Sequence, residues 1–285
     1  MSLTITPVTP TFCAKVSGVD INQPLEETTF DAIRAAFDEH LVLIFSGQPM
    51  TDAQQITFSE RFGRLEGTKG VNPASGTPFA RQSNLDIKSG EVIAADDRRM
   101  FYQKANMLWH ADSTFKPTPS LCSILTARVV PPAGGATELA STRAAYASLS
   151  AGQKAEIEDL VVEHDFVHSR GVVGFTFTDA ELAGMKPARH RLVRTNAANG
   201  LKSVMIGLHA KCIVGWPEDE SRDLLDDLLA RATRPENTYS HEWRTGDVLI
   251  WDNQAALHRA TEYDTMHHHR LMQRTTISSG IRSNL

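Results

Sequence analysis

Cysteine is scarce in this chain: Cys13, Cys122 and Cys212 are odd in number, widely spaced, and form no Cys-x-x-Cys. That pattern excludes a disulfide framework and a cysteine-built structural zinc site, and it fits free thiols in a reducing cytoplasm. Runs of lysine or arginine are missing too, and a formal net charge of −5 argues against a nucleic-acid partner. No apolar stretch approaches the roughly 20 residues needed to span a bilayer, so no membrane partner is expected. The opening MSLTITPVTP has no basic segment followed by an apolar core, and an export signal is not expected. Internal repeats, low-complexity tracts and long Pro/Gly/Ser linkers are also lacking. A single domain over residues 1–285 is the economical reading, in a soluble cytoplasmic protein.

What is present reads as an ordinary globular chain, because 41% apolar and 22% charged residues leave no case for disorder. The segment TTFDAIRAAFDEH predicts a helix capped at Thr28 or Thr29, with Phe30, Ile33 and Phe37 on one face. It runs into LVLIF, Leu41 to Phe45, a buried strand by its apolar and β-rich composition. TDAQQITFSERFG carries Thr51 and Gln54 as a capping box, with Gly63 as the stop. From Leu65 to about Met100 the chain is polar and rich in Gly and Pro, and an irregular active-site loop is expected over 65–100. A strand at Leu121–Val130 ends at Pro131-Pro132. Helices are expected at Ser141–Leu149 and Ser150–Val162, a helical insertion after residue 140, and another follows Pro217. TYSHEWRTGDVLIWDN returns to strand alternation around a turn at Gly246-Asp247. Helices thus flank a mainly β core, an α+β arrangement and not an alternating α/β one.

The chemistry is carried by LWHADSTF. Its His110 and Asp112 stand at i and i+2, which on an extended segment puts both side chains on the same side. Alone, a His-x-Asp reads equally as a strand end with a buried histidine satisfied by its neighbour. A third ligand changes the balance, and among eleven histidines His258, in WDNQAALHRA, follows a strand and a turn. Two histidines and a carboxylate leave three positions open on a six-coordinate metal, the facial arrangement of non-haem Fe(II) oxygenases. A catalytic zinc uses the same residue types, so the ligands by themselves leave the metal open. Arg270 and Arg274 follow in HHHRLMQRTT, four apart and expected to face the same way on a strand. Guanidinium forks match carboxylates, and two of them suit two carboxylates, one on a co-substrate and one on a substrate.

Taken together, LWHADSTF, PPAGGATE, GDVLIWDNQAALHRA and HHHRLMQRTT resemble the 2-oxoglutarate-dependent taurine/phenoxyacetate dioxygenase family, over about Val16 to Ser278. The resemblance implies a double-stranded β-helix (jelly roll) that binds Fe(II) through His110, Asp112 and His258. It implies that Thr137 and Arg270 hold the distal carboxylate of 2-oxoglutarate, that O2 is consumed, and that the chain forms a homo-oligomer. RAAYASLS, RLVRT (Arg191 to Thr195) and IGLHA (Ile206 to Ala210) look like the phenoxyacetate-cleaving branch. The expected substrate is therefore a small anionic phenoxyacetate or phenoxyalkanoate acid, cleaved to a phenol and glyoxylate or a keto acid. Taurine, an alkylsulfonate or a sulfate ester is the alternative within the family. A zinc hydrolase and a non-enzymatic β-sandwich binding module stand outside it. Candidate substrate contacts are Arg274, Asn106, His209 and Lys69. His209 reads equally as a core histidine satisfied by a backbone carbonyl, and Lys69 and Lys104 as solvated loop lysines. The run His267–His269 is expected to be structural or exposed, since adjacent strand residues face opposite ways.

Overall fold

The apolar run VLIF becomes the strand Val42–Phe45, buried at all four positions because packed layers cover both of its faces. It lies between Ala14–Ser17, parallel to it, and Val248–Asp252, antiparallel. In this computed structural model, which describes residues 2–68, 74–86, 89–94 and 96–285, these strands belong to a seven-stranded sheet. Its order is Thr4–Pro7, Ala14–Ser17, Val42–Phe45, Val248–Asp252, Ser120–Val129, Leu271–Ser278 and Phe79–Ser83. One face packs on the helices Glu27–His40 and Asp52–Glu60 through Phe30, Phe37, Phe58 and Phe62, whose rings meet edge to face. The other face sends Leu125, Leu249, Trp251 and Met272 against Leu139 and Ala255. Leu139 belongs to a three-stranded sheet ordered Thr238–His241, Thr137–Ser141, Ala256–Ala260. Two mostly antiparallel sheets thus share one apolar interior, a jelly-roll core that stays open and does not close into a barrel.

Several sequence expectations shift by a few residues, each for a local reason. The first helix starts at Glu27, ahead of Thr28, and its flanking Glu26 makes no side-chain cap bond. Glu27 favours that start, being an acidic first-turn residue that also pairs with Arg61 at 2.8 Å. Both expected capping boxes form, Thr51 with Gln54 and Ser150 with Gln153. The helices after residue 140 are shorter than expected, Thr142–Ala147 and Ala151–Ile157. The second one stops because Val161 and Val162 enter the strand Val161–His164, between Ala188–Arg191 and Ala210–Ile213. The insertion therefore contains a small sheet as well as helices. The span 65–100 is likewise less irregular than its composition implies. Phe79–Ser83 pairs with Leu271–Ser278 at the sheet edge, and a helix begins at Arg98.

Candidate active site

An isolated bridge between His110 and His258 fixes the floor of the site. The His110 N–H donates to the His258 carbonyl at 3.1 Å, and the His258 N–H returns to the His110 carbonyl at 2.8 Å. Residues paired this way send their side chains out together, and the two rings lie 4.2 Å apart. The chain does not continue as an extended segment to Asp112. It enters a turn in which Ser113 adopts φ +57°, uncommon for a residue with a side chain. Asn253 Oδ1 accepts the Asp112 N–H at 3.1 Å, and the Ser120 hydroxyl donates to the Asp112 carbonyl at 2.7 Å. These bonds hold the turn, and ligand atoms of His110, Asp112 and His258 all lie within 4.8 Å of one another.

The protonation states suit a cation. The His110 Nδ1 sits 2.7 Å from the Leu108 carbonyl, which only accepts, so Nδ1 carries the proton and Nε2 presents its lone pair. That Nε2 is buried with no hydrogen-bond partner, as are both nitrogens of His258, whose Nε2 stands 3.7 Å from Asp112 Oδ2. Buried polar atoms left unpaired cost about 1–3 kcal/mol each, and a divalent ion taking His110 Nε2 and one nitrogen of His258 would satisfy one atom on each ring. Burial pushes His110 down to about 4, and burial beside His110 holds His258 well below the usual imidazole range. Burial works to raise Asp112, but Arg274, His258, His110 and the Ser123 hydroxyl together hold it below the usual carboxylate range. At neutral pH the site therefore offers two neutral imidazoles and one carboxylate, the form a metal requires. Ser123 Oγ reaches Asp112 Oδ2 at 2.6 Å and accepts from Asn253 Nδ2 at 2.9 Å, a support that aims the carboxylate.

The two arginines border separate cavities that adjoin at Asn106. Arg270 stands just before the strand Leu271–Ser278, whose pairing with Ser120–Val129 slips between Leu271 and Met272. Arg274 lies beyond the slip, and its Nη1 meets Asp112 Oδ1 at 2.7 Å. Arg270 is buried, donates from Nη2 to the Gly135 carbonyl at 3.2 Å, and keeps an unpartnered Nε. Burial lowers it to about 10. It borders a cavity of about 380 Å³ with Gln103, Asn106 and Tyr263. Gly135 adopts φ +69°, and a Cβ there would come within 3.2 Å of the Arg270 Nε, so the close approach requires glycine. Thr137 is buried two residues further along, where its hydroxyl accepts from Trp243 Nε1 at 3.0 Å; among the described residues it makes no hydrogen bond to Arg270.

Above the floor lies a cavity of about 520 Å³ that His110, Asp112, His209 and Arg274 border together. Asn106 borders this cavity and the Arg270 cavity both. His209 is buried, with Nδ1 3.2 Å from Thr114 Oγ1 and Nε2 unpartnered, so no backbone carbonyl satisfies its ring. Burial, with the charge of Arg170 next in weight, holds it well below the usual imidazole range. Its ring meets Phe115 at 4.9 Å and His110 at 6.2 Å. Lys69 lies outside the described residues. His267 is exposed and paired with Asp264 at 2.8 Å. Sequence reasoning did not single out Ser123, Asn253, Tyr102, Phe166, Phe177 or Arg170. Only Phe115 carried a signal, as part of the aromatic frame around His110.

The sequence model of the taurine catabolism dioxygenase TauD, TfdA family matches residues 4–276. An alpha-ketoglutarate-dependent 2,4-dichlorophenoxyacetate dioxygenase of Cupriavidus pinatubonensis is 38% identical, over 99% of this chain and 100% of its own length. An (S)-phenoxypropionate/alpha-ketoglutarate-dioxygenase of Sphingobium herbicidovorans is 36% identical, over 96% of this chain and 94% of its own. The crystal structure of AAD-2 in complex with Mn(II) and N-oxalylglycine superposes with a TM-score of 0.91, at 40% identity and 100% coverage of both chains.

Proposed function

Because the chain belongs to the TauD, TfdA family of dioxygenases, we propose that it is an Fe(II)- and 2-oxoglutarate-dependent enzyme that hydroxylates an aryloxy carboxylic acid beside its ether oxygen. The observation that carries this reading is the triad His110, Asp112 and His258, with unpartnered imidazole nitrogens, beneath a cavity that Arg274 and aromatic rings share. His110, Asp112 and His258 would hold the iron. When bound, that iron supplies the activation of O2 that couples oxidative decarboxylation of 2-oxoglutarate to oxidation of a C–H bond. Arg270 is the anchor for the distal carboxylate of 2-oxoglutarate, with Thr137 beside it, in a cavity that meets the substrate's at Asn106. Arg274 takes the substrate carboxylate, which draws the adjacent carbon over the triad. His209 and Phe115 flank the ring and keep water away.

The outcome follows from carbon chemistry. A hydroxyl placed on the carbon next to an ether oxygen makes a hemiacetal, and this collapses to a phenol and glyoxylate, or to a keto acid when that carbon bears an alkyl group. One O2 and one 2-oxoglutarate are consumed, and succinate and CO2 are released. Taurine, the alternative, is a small polar sulfonate, whereas this cavity is bordered by Tyr102, Phe115, Phe166 and Phe177. A cytoplasmic setting goes with the reading, since Cys13, Cys122 and Cys212 are free thiols and no helix among the described residues is long and apolar enough to cross a membrane.

The test is succinate formation by the iron-loaded protein with 2,4-dichlorophenoxyacetate or taurine. Succinate and phenol released in step with the aryloxy acid are expected. Stimulation by taurine alone would overturn the substrate reading and keep the reaction class.

A further inference from the structure

Arg170, in the short helix Phe166–Gly171, turns its guanidinium into the substrate cavity and finds nothing there to bond. It is 6% exposed, and its Nε is buried without an acceptor. Among the described residues it forms no ion pair and no side-chain hydrogen bond, and the residues outside that description include no Asp or Glu. Its neighbours are aromatic rings, Tyr102 at 4.5 Å and Phe166 at 4.6 Å from the guanidinium carbon. Of the other cations on this cavity, Arg274 holds Asp112 through Nη1 and keeps an unpartnered Nε for the substrate carboxylate, Lys116 holds Glu66, and Lys186 is exposed at the rim. Cation–π contact offsets only part of what it costs to bury the Nε N–H of a guanidinium with no acceptor. An unmatched buried cation facing a cavity is a place built for an incoming acceptor.

Its position says which part of a ligand would arrive there. From the triad, the His110 ring leads to His209 at 6.2 Å, His209 to Phe166 at 6.2 Å, and Phe166 to Arg170. Arg170 therefore lines the same cavity as His110 and His209, on the side where Phe166 and Tyr102 stand. A substrate whose carboxylate rests on Arg274 has no second charge of its own for Arg170 unless the ring carries one. We propose that Arg170 forms a second anion subsite, and that the preferred substrates are aryloxy acids bearing an anionic or strongly hydrogen-bond-accepting substituent on the ring edge remote from the ether. This rests on the aryloxy-acid reading above and names the substrate class within it.

Calorimetric binding to the Mn(II)- and 2-oxoglutarate-loaded protein tests the subsite without turnover. The ligands are phenoxyacetate and its 3- and 4-carboxy derivatives. A charge-assisted pair to a guanidinium predicts that at least one dianion binds about 10-fold or more tighter than phenoxyacetate. Arg170→Met should erase that preference while phenoxyacetate affinity stays within about 3-fold, and Arg170→Lys should keep part of it. Equal affinity for all three acids in the native protein would overturn the subsite and leave the aryloxy reading standing. So would an equal weakening of all three in both variants, which marks a structural arginine. If neither phenoxyacetate nor its derivatives bind, the aryloxy reading fails and the subsite falls with it.

Discussion

The residues under the cavity and the residues around its far wall stand on different kinds of backbone. His258 lies in the strand Ala256–Ala260, paired with Thr137–Ser141, and its own N–H and C=O are both bonded to His110. Asp112 is tied down by Asn253, Ser120, Ser123 and Arg274. Across the cavity, Tyr102 and Arg170 stand on two six-residue helices, Arg98–Gln103 and Phe166–Gly171. Those helices are joined to their surroundings by side-chain contacts such as Arg98 with Glu181 at 2.7 Å, and Arg98 over the Phe175 ring. A strand, a bridge and a turn pinned by hydrogen bonds hold a metal-binding geometry closely, whereas short helices accept substitution without disturbing it. In the proposed function the floor fixes the reaction and the wall chooses the substrate.

That contrast breaks most visibly at the triad. His110→Ala removes one of three ligands, and succinate formation should fall by at least about 10³-fold with the melting temperature little changed; metal content and a thermal melt check both. A smaller effect tests how much strain the floor already tolerates. Asp252, buried in the strand Val248–Asp252, is raised to about 6 by burial, against the pull of the Gln254 N–H and Arg143. A carboxyl raised on folding contributes stability that is full below about pH 4 and is lost as the pH climbs through about 6. Asp252→Asn keeps the acceptor for the Gln254 N–H, found at 2.7 Å. It should therefore gain about 3 kcal/mol on the native protein between about pH 4 and pH 7, read from denaturant melts at both ends.

Support for the carboxylate comes next in size. Ser123→Ala removes the 2.6 Å hydrogen bond to Asp112 and should weaken metal affinity about 10-fold with the fold intact, measured by metal titration. Phe166→Ala sharpens the wall side of the comparison. It should raise KM for the aryloxy acid by about 10-fold, with KM for 2-oxoglutarate unchanged, because Phe166 borders the cavity above the triad and not the Arg270 cavity. Equal changes in both constants would mean that wall and floor are one mechanical unit.

Legibility in the sequence divides along the same line. His110, Asp112 and His258 stand out as residue types that chemistry restricts, and so do Arg270 and Arg274. The capping boxes at Thr51 and Ser150 are local patterns that local geometry honours. Arg170, Tyr102 and Phe166 carry no such mark, since an arginine after His168-Ser169 reads as a surface charge and a lone ring as core. Phe166 and Arg170 share a turn of one helix, and only the tertiary fold brings Tyr102 to the same wall. The register slip after Leu271 was equally hidden, because pairing with Ser120–Val129 spans about half the chain and leaves no local signature. The same holds for Val161–His164, where β-branched residues override a helical pattern once a sheet accepts them.

The measurement that bears most directly on the account is calorimetric titration of Mn(II) into the native protein and Asp112→Ala. One ion per chain in the native protein, lost in the variant, is the predicted result. Retention of the ion by Asp112→Ala, or no binding by the native protein, would contradict the triad on which the proposed function stands.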